Sequence, residues 1–135
     1  MKKLNCILLI DDSPADNEFH EIAIRKAGVC DQVKVALDGG EALSYLAQCH
    51  PESESFPRPD LIFLDINMPG MNGYEFLEEY NRLDEKIKSK LVIMMLTTSL
   101  NPDDEVKARK YGCLSGFLNK PLTAQRVLEL VEKHF

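Results

Sequence analysis

The chain has 135 residues and a formal net charge of −6, with 44% hydrophobic and 28% charged residues. This length suits one globular domain with an ordinary core. The basic residues are scattered along the chain, which argues against a face that binds the phosphates of nucleic acid.

Apolar runs alternate with helical patterns five times along the chain, which predicts five strands, each followed by a helix. The predicted strands are Leu4–Ile10, Gln32–Ala36, Leu61–Leu64, Leu91–Leu96 and Gly116–Leu118. The first helix is expected to start at Ser13 and stop at Gly28, and the second to span Glu41–Gln48. The fourth is expected to open at Asn101 and end near Gly112, and the fifth to begin at Thr123.

The helical periodicity also predicts which side chains of each helix face the core. The predicted core-facing residues are Ala15, Phe19, Ile22, Ala23 and Ala27 in the first helix; Ala42, Leu43, Leu46 and Ala47 in the second; Phe76, Leu77, Tyr80, Leu83 and Ile87 in the third; and Ala124, Val127, Leu128, Val131 and Phe135 in the last.

Regular βα alternation predicts an α/β fold, with a parallel sheet covered by helices on both faces. The flavodoxin-like (βα)5 version is a doubly wound sandwich with strand order 2-1-3-4-5. Its ligands bind outside the carboxyl ends of strands 1 and 3, where the winding reverses. We expect a single domain over residues 1–135, without an output domain.

One segment, residues 48–60, departs from this pattern. It contains three prolines, shows no periodicity and is long for a connection within an α/β unit. We interpret it as a surface insertion. The alternative is a loop that contacts a partner, with Phe56 as an apolar anchor.

The N-terminal segment only superficially resembles a secretion signal. Asn5 interrupts its apolar run, Asp11 and Asp12 end it early, and no small-residue cleavage pattern follows. No stretch is long enough to cross a bilayer, so we expect a cytoplasmic protein without membrane contact.

The cysteines and histidines lack the spacing of metal ligands. We expect free, partly buried thiols and surface histidines without a role. The residues concerned are Cys6, Cys30, Cys49 and Cys113, and His20, His50 and His134.

Functional side chains follow or close four of the predicted strands. Asp11 and Asp12 follow strand 1, Asp65 follows strand 3, Thr97 follows strand 4, and Lys120 lies just after strand 5. Acids crowded at one sheet edge repel one another unless a divalent cation lies among them. The pattern predicts a magnesium-dependent phosphoacceptor.

Each of these residues has a predicted role in phosphoryl transfer. Asp65 is the nucleophile that becomes an acyl phosphate. Asp12, and Asp11 partly through water, hold Mg²⁺. Lys120 places positive charge on a phosphoryl oxygen, and Thr97 donates its hydroxyl to the phosphoryl group. Singly, each residue also fits a solvated turn, a strand end or a surface loop, so the combination carries the hypothesis.

These segments resemble the signature of response regulator receiver domains of two-component signalling, over nearly the whole chain. The matching segments are Leu8–Asp12, Leu64–Gly73, Leu96–Thr98 and Phe117–Pro121. The resemblance implies phosphoryl transfer to Asp65 from the phosphohistidine of a sensor histidine kinase or phosphotransfer protein. It also implies a downstream protein that responds to the phosphorylated state.

The resemblance further implies the ligands and the backbone of the site. Mg²⁺ is expected at Asp12, Asp65 and the backbone carbonyl of Asn67, with Asp11 in the outer shell. A cis peptide is expected before Pro121, which the energetics of X-Pro bonds permit.

A conformational switch is also implied by the resemblance, because phosphorylation draws the Thr97 hydroxyl inward and an aromatic side chain turns into the vacated space. Phe117 occupies that aromatic position and has no hydroxyl. The phosphate shifts the equilibrium only through its different contacts in the two states. The surface expected to change comprises Val106, Lys107, Lys110, Tyr111 and Phe117.

A narrower resemblance is to the single-domain regulators that pair with phytochrome-type and other sensor kinases. The run Leu96–Ser99, the proline-rich loop and the missing output domain carry it. Thr98 stands where the family often has Ala or Gly. We hypothesise that its bulk shields the acyl phosphate from water and slows dephosphorylation.

Two other functions are alternatives to a phosphoacceptor for the same residues. A Mg²⁺ phosphatase with an aspartate nucleophile usually carries an Asp-x-Asp pair, whereas Ile66 and Asn67 follow Asp65. A constitutive scaffold would bind its partner regardless of phosphorylation. We expect a phosphoacceptor that acts by protein–protein contact and is not an enzyme for external substrates. The sequence does not decide whether two copies pair.

Overall fold

A computed structural model of the protein describes residues 3–50, 52–83, 92–98 and 101–135. Strands and helices alternate through these residues. The strands are β1 (Leu4–Ile10), β2 (Cys30–Ala36), β3 (Leu61–Asp65), β4 (Val92–Thr97) and β5 (Gly116–Asn119). The helices are α1 (Pro14–Ala27), α2 (Gly39–Gln48), α3 (Gly73–Asn81), α4 (Pro102–Ala108) and α5 (Ala124–His134).

All five strands pair in parallel, in the order β2-β1-β3-β4-β5. The predicted flavodoxin-like, doubly wound architecture is therefore confirmed. Ile10 of β1 lies opposite Leu64 of β3, so these neighbouring strands end at the same edge of the sheet. The winding reverses between them, which places a crevice at their carboxyl ends.

The sheet separates two apolar layers. Leu8 and Ile62 belong to the layer under α2, α3 and α4, whereas Ile7 and Phe63 belong to the layer under α1 and α5. Because both faces are covered, the central strands are apolar throughout rather than alternating. Every residue of β3 is buried, including the terminal Asp65.

Several element boundaries differ from the predictions. β2 begins at Cys30, earlier than expected. α2 begins at Gly39, because the Asp38 side chain caps it by accepting a hydrogen bond from the backbone N–H of Glu41 at 2.7 Å. The predicted start of β4 at residue 91 and the predicted contact of residue 87 lie outside the described residues.

The fourth helix is shorter than predicted. It ends at Ala108 rather than near Gly112. The backbone N–H groups of Lys110 and Tyr111 then donate to carbonyl groups three residues back, which is the pattern of turns.

The predicted buried face of α1 is wrong in part. Phe19 and Ile22 are each 54% exposed, and the buried residues include Asn17 and His20. The expectation of a surface histidine is therefore wrong for His20, which is 3% exposed. In this helix local polar contacts outweigh the simple apolar pattern, because the Asn17 amide donates to the Asp11 carbonyl at 2.8 Å.

Two further apolar predictions need correction. Ala47 of α2 is exposed, because it lies on the side of the helix away from the buried Leu46. Phe135 is 39% exposed, and Leu130 fills the core instead. Phe135 follows the last residue of α5, and its backbone N–H donates to the Val131 carbonyl of the same helix.

The segment 48–60 packs on α2 in the residues that the structure describes. His50 forms an isolated parallel bridge with Pro57, and the Tyr45 hydroxyl donates to the Pro57 carbonyl. The ring centroids of Tyr45 and Phe56 lie 5.7 Å apart, and Phe56 is still 37% exposed. The insertion is thus tied to the domain.

All four cysteines are free thiols, as predicted; Cys6 is buried and the other three are partly buried. Among the described residues, no helix has the length and apolar character needed to span a membrane.

Candidate functional site

Three carboxylates meet where β1 and β3 end. Asp11 and Asp12 follow β1, Asp65 ends β3, and one oxygen from each lies within 4.8 Å of the others. Asp11 and Asp65 are only 4% and 8% exposed, whereas Asp12 faces solvent. The structure thus brings together the three acids that the sequence singled out.

Hydrogen bonds fix the position of Asp11. Its backbone N–H donates to the Ala36 carbonyl at 3.1 Å, and its Oδ1 accepts from the backbone N–H of Ser13 at 3.0 Å. The Asn17 amide donates to its carbonyl. These contacts leave Oδ2 of Asp11 for the centre of the site.

Lys120 is the cation of the site. Its Nζ lies 2.6 Å from Asp11 Oδ2, 2.9 Å from Asp16 Oδ2 and 3.4 Å from Asp65 Oδ1. The lysine side chain is 9% exposed. An ammonium group has three N–H donors, so three surrounding carboxylates match it well. The sequence predicted Lys120 at this site but did not single out Asp16.

Burial and neighbouring charge act together on Asp65. Burial raises the pKa of its carboxyl group, the Asp11 charge raises it further, and Lys120 opposes both, with a net pKa of about 6. For Lys120, burial alone would lower the pKa. The hydrogen bonds to Asp11 and Asp16 outweigh burial, so the pKa of Lys120 is raised and the group stays protonated.

The ends of β4 and β5 complete the site. Thr97 is fully buried as the last residue of β4, and its carbonyl accepts a hydrogen bond from the backbone N–H of Lys120 at 2.7 Å. The Lys120–Pro121 peptide bond is cis. Phe117 is half-buried in β5 and packs on the apolar layer under α2, α3 and α4.

The loop from β3 to α3 passes very close to Asp65. The backbone N–H of Gly73 donates to the Ile66 carbonyl at 2.7 Å, and a Cβ atom at residue 73 would lie 2.6 Å from the Asp65 carbonyl oxygen. Only glycine allows this approach. Asn67 is exposed in the same loop, two residues beyond Asp65.

An open groove of about 480 Å³ leads from the surface to Lys120. Asp16, Phe19 and His20 of α1 line one side of it, and Thr98 and Pro121 line the other. Thr98 is exposed, so it lies at the entrance rather than in the core.

The donor set fits a hard divalent cation. All three clustered side chains are carboxylates, which are the ligands that Mg²⁺, Mn²⁺ and Ca²⁺ prefer. Among the described contacts, three acids surround the ammonium of Lys120, and Asp12 lies in the same cluster, so the site keeps an excess of negative charge. The chemistry of the residues therefore supports a cation here.

Fold and site together define a receiver domain. The chain belongs to the response regulator receiver domain family, whose model matches residues 7–132.

Relatives in sequence and structure agree with this family. Response regulator Rcp1 of Synechocystis sp. is 34% identical over 126 residues, which cover 93% of this chain and 83% of Rcp1. A two-component response regulator from Cytophaga hutchinsonii has a solved structure with a TM-score of 0.86 and 29% identity, covering 98% of this chain and 97% of the other.

The narrower resemblance is also supported. The bacteriophytochrome response regulator AtBRR matches with a TM-score of 0.75 and 28% identity over 98% of this chain and 93% of its own. Rcp1 has been solved in a Mn²⁺-bound form, which matches with a TM-score of 0.70 and 30% identity over 96% and 90% of the two chains. Mn²⁺ binding by that relative is consistent with a divalent cation at the acidic cluster of this chain.

Proposed function

We propose that the protein accepts a phosphoryl group on Asp65 from the phosphohistidine of a sensor histidine kinase or phosphotransfer protein, in the presence of Mg²⁺. The phosphorylated form signals in the cytoplasm through contact with a downstream protein. One observation carries this proposal: a buried carboxylate, Asp65, lies beside a buried ammonium, Lys120, within an acidic cluster at the switch point of the fold.

The chemistry follows from the positions of the side chains. Asp65 attacks phosphorus, the bond to the donor imidazole breaks, and an acyl phosphate forms. With a pKa of about 6, Asp65 is largely ionised at neutral pH and able to act as the nucleophile. Lys120, 3.4 Å from Asp65 Oδ1, stabilises negative charge on a phosphoryl oxygen.

Asp11, Asp12 and Asp65, with the backbone carbonyl of Asn67, would hold the Mg²⁺. When bound, the cation neutralises charge between the carboxylate and the phosphoryl group. Thr97 offers its hydroxyl from the end of β4.

A surface for the phosphoryl donor lies next to the groove. Phe19 and Ile22 of α1 are exposed apolar side chains one helical turn apart, and Phe19 also lines the groove to Lys120. A donor that delivers a phosphoryl group to Asp65 must approach this edge of the sheet. Phe19 and Ile22 therefore offer the donor an apolar contact.

A second set of contacts connects the site region to the expected signalling surface. Tyr74 is the second residue of α3, shortly after the loop that follows Asp65, and its hydroxyl donates to the Asp104 carbonyl of α4 at 3.0 Å. Its ring stacks on Tyr111 at 5.9 Å, and Lys107 Nζ lies 4.3 Å above it. These contacts support α4 as the element that reports a change at Asp65.

Intact-mass spectrometry after incubation with acetyl phosphate tests the proposal. We expect one added phosphoryl group on the wild type that requires Mg²⁺, and none on Asp65→Asn. Asp31→Asn, which changes an exposed acid outside the cluster, should be phosphorylated like the wild type. An adduct that persists on Asp65→Asn would contradict the proposal.

The same proteins separate the alternatives. A phosphatase would turn over a generic phosphate ester, whereas we expect only loss of the protein's own phosphoryl group. A scaffold would bind its partner equally as wild type, as Asp65→Asn and after treatment with beryllofluoride, whereas we expect beryllofluoride to change partner binding by the wild type alone.

A further inference from the structure

Lys120 has a carboxylate partner outside the acidic cluster. Asp16 Oδ2 lies 2.9 Å from Lys120 Nζ, closer than Asp65 Oδ1 at 3.4 Å. Asp16 is not one of the three acids that form the cluster, and its side chain is 44% exposed. It therefore binds the ammonium from the rim of the site.

The start of α1 gives Asp16 a defined position. Its backbone N–H donates to Ser13 Oγ at 3.2 Å, and the backbone N–H of Asn17 donates to the Ser13 carbonyl at 3.0 Å. Because Ser13 also donates to Asp11, one cap connects Asp16 and Asp11. The hydrogen bond from Lys120 keeps the pKa of Asp16 below its usual value, so both partners carry charge.

Lys120 and a divalent cation would share two carboxylates. Oδ2 of Asp11 and Oδ1 of Asp65 contact the ammonium, and both carboxylates belong to the cluster that fits a cation. Asp16 is the one partner of Lys120 in these contacts that lies outside the cluster. Asp16 can therefore keep its ion pair with Lys120 when Asp11 and Asp65 bind a cation.

We propose that Asp16 is a positioning residue for Lys120, which anchors the ammonium at the rim so that a divalent cation can occupy the acidic cluster without displacing the lysine from the site. The meaning of this anchor for phosphoryl transfer rests on the proposed function. The anchor itself is a property of the unphosphorylated protein and can be measured there.

The affinity for Mn²⁺ tests the proposal, measured from the electron paramagnetic resonance signal of the free ion. Four proteins are compared: the wild type, Asp16→Asn, Lys120→Met and the double variant. We expect Asp16→Asn to weaken Mn²⁺ binding about fivefold when Lys120 is present, because the ammonium then depends on Asp11 and Asp65 alone. In the Lys120→Met background, Asp16→Asn should weaken Mn²⁺ binding about twofold or less, because only the charge of Asp16 is then lost.

Equal losses in both backgrounds would overturn the proposal, because Asp16 would then act only through its charge. Tighter Mn²⁺ binding by Asp16→Asn than by the wild type would also overturn the proposal.

Two further variants control the interpretation. Glu18→Gln removes an exposed charge from the same helix and should leave Mn²⁺ affinity within about twofold of the wild type. Asp16→Glu restores the carboxylate and should recover most of the affinity; a loss as large as that of Asp16→Asn would contradict the anchor. Thermal unfolding of each variant verifies that it is folded.

The outcome is independent of phosphorylation. If the wild type accepts no phosphoryl group from acetyl phosphate, the proposed function fails, while the four-protein comparison still decides the role of Asp16. If phosphorylation occurs but the comparison shows equal losses, only the anchor fails.

Discussion

Asp65 is a carboxylate held in an environment that disfavours its charge. It is 8% exposed and lies close to Asp11, and Lys120 only partly offsets these two effects. Its pKa of about 6 exceeds the usual value of 3.8. The folded protein therefore binds a proton at Asp65 more tightly than the unfolded chain does, and ionisation of Asp65 lowers the free energy of unfolding.

This predicts a pH-dependent stability when divalent cations are removed. Between about pH 4 and pH 6 the folded state carries the extra proton, so the contribution of Asp65 to the free energy of unfolding falls as the pH rises through this window. Asp65→Asn removes the charge and should stabilise the fold at pH 7.5 by on the order of 2 kcal/mol. Urea denaturation in EDTA at pH 4.5 and pH 7.5 measures both effects.

The contrast between the two pH values is the control for this prediction. The gain from Asp65→Asn should be much smaller at pH 4.5, where Asp65 itself is largely neutral. A variant that is no more stable than the wild type at pH 7.5 would contradict the prediction. Asp31→Asn, at an exposed position, should show neither effect.

At the scale of elements, the loop from β3 to α3 couples the fold to the site. Asn72 caps α3 in a reciprocal arrangement, since its side chain accepts from the backbone of Glu75 while the Glu75 side chain accepts from the backbone of Asn72. The next residue, Gly73, brings the helix start against the Asp65 carbonyl. The position of α3 therefore depends on this close approach.

Gly73→Ala should distort the end of β3. The added Cβ would lie 2.6 Å from the Asp65 carbonyl oxygen and 3.0 Å from Ile66 Cα, both backbone atoms that cannot rotate away. We expect a loss of about 2 kcal/mol or more in the free energy of unfolding and slower phosphorylation by acetyl phosphate. Urea denaturation and the mass assay measure the two.

Gly112→Ala is the matched control for this change. Apart from the chain neighbours, no heavy atom lies within 4 Å of a Cβ added at Gly112, so the free energy of unfolding of Gly112→Ala should change by less than about 0.5 kcal/mol. Equal effects at the two glycines would show that the approach to Asp65 is not the cause.

At the scale of the whole molecule, the exposed side chains of Phe19 and Ile22 on α1 allow the proposed donor binding to be tested separately from the chemistry at Asp65. Phe19 and Ile22 make no part of the buried core. Phe19 lines the groove that leads to Lys120, and Ile22 lies one helical turn further along α1. A macromolecular donor needs a docking surface, whereas acetyl phosphate needs only the site.

Replacing both Phe19 and Ile22 by Ala should therefore slow phosphoryl transfer from a phosphorylated histidine kinase or phosphotransfer protein by about tenfold or more. Phosphorylation by acetyl phosphate should stay within about twofold, because the Asp65 site is intact. Val106→Ala, at a position of α4 that is 59% exposed, should leave both rates unchanged. Equal slowing with both donors would count against α1 as a docking surface.

Much of this molecule could be predicted from local patterns. Buried parallel strands are continuous apolar runs, and helix starts carry caps such as Ser13, so strands and helices were recognisable without tertiary contacts. The strand order then followed from the flavodoxin-like arrangement, which is one of those that right-handed βαβ units permit. Once that order is known, Asp11 and Asp65 must share an edge, because β1 and β3 are neighbours.

The faces of α1 were not predictable in the same way. The rotation of a helix about its axis is decided by all of its contacts, and polar bonds at the start of α1 bury Asn17 and His20 while Phe19 and Ile22 remain outside. A hydrophobic pattern weighs only the apolar contacts. It therefore selected side chains that the folded helix exposes.

The sequence by itself determined the alternation of strands and helices. Through the flavodoxin-like fold that this alternation predicts, it also determined the gathering of the three acids, because strands 1 and 3 are neighbours in that fold. Only the tertiary structure decided that Asp16 joins Asp11 and Asp65 around Lys120. That contact joins residues 104 positions apart. It depends on how α1 is rotated and on the path of the lysine side chain, neither of which leaves a local pattern in the sequence.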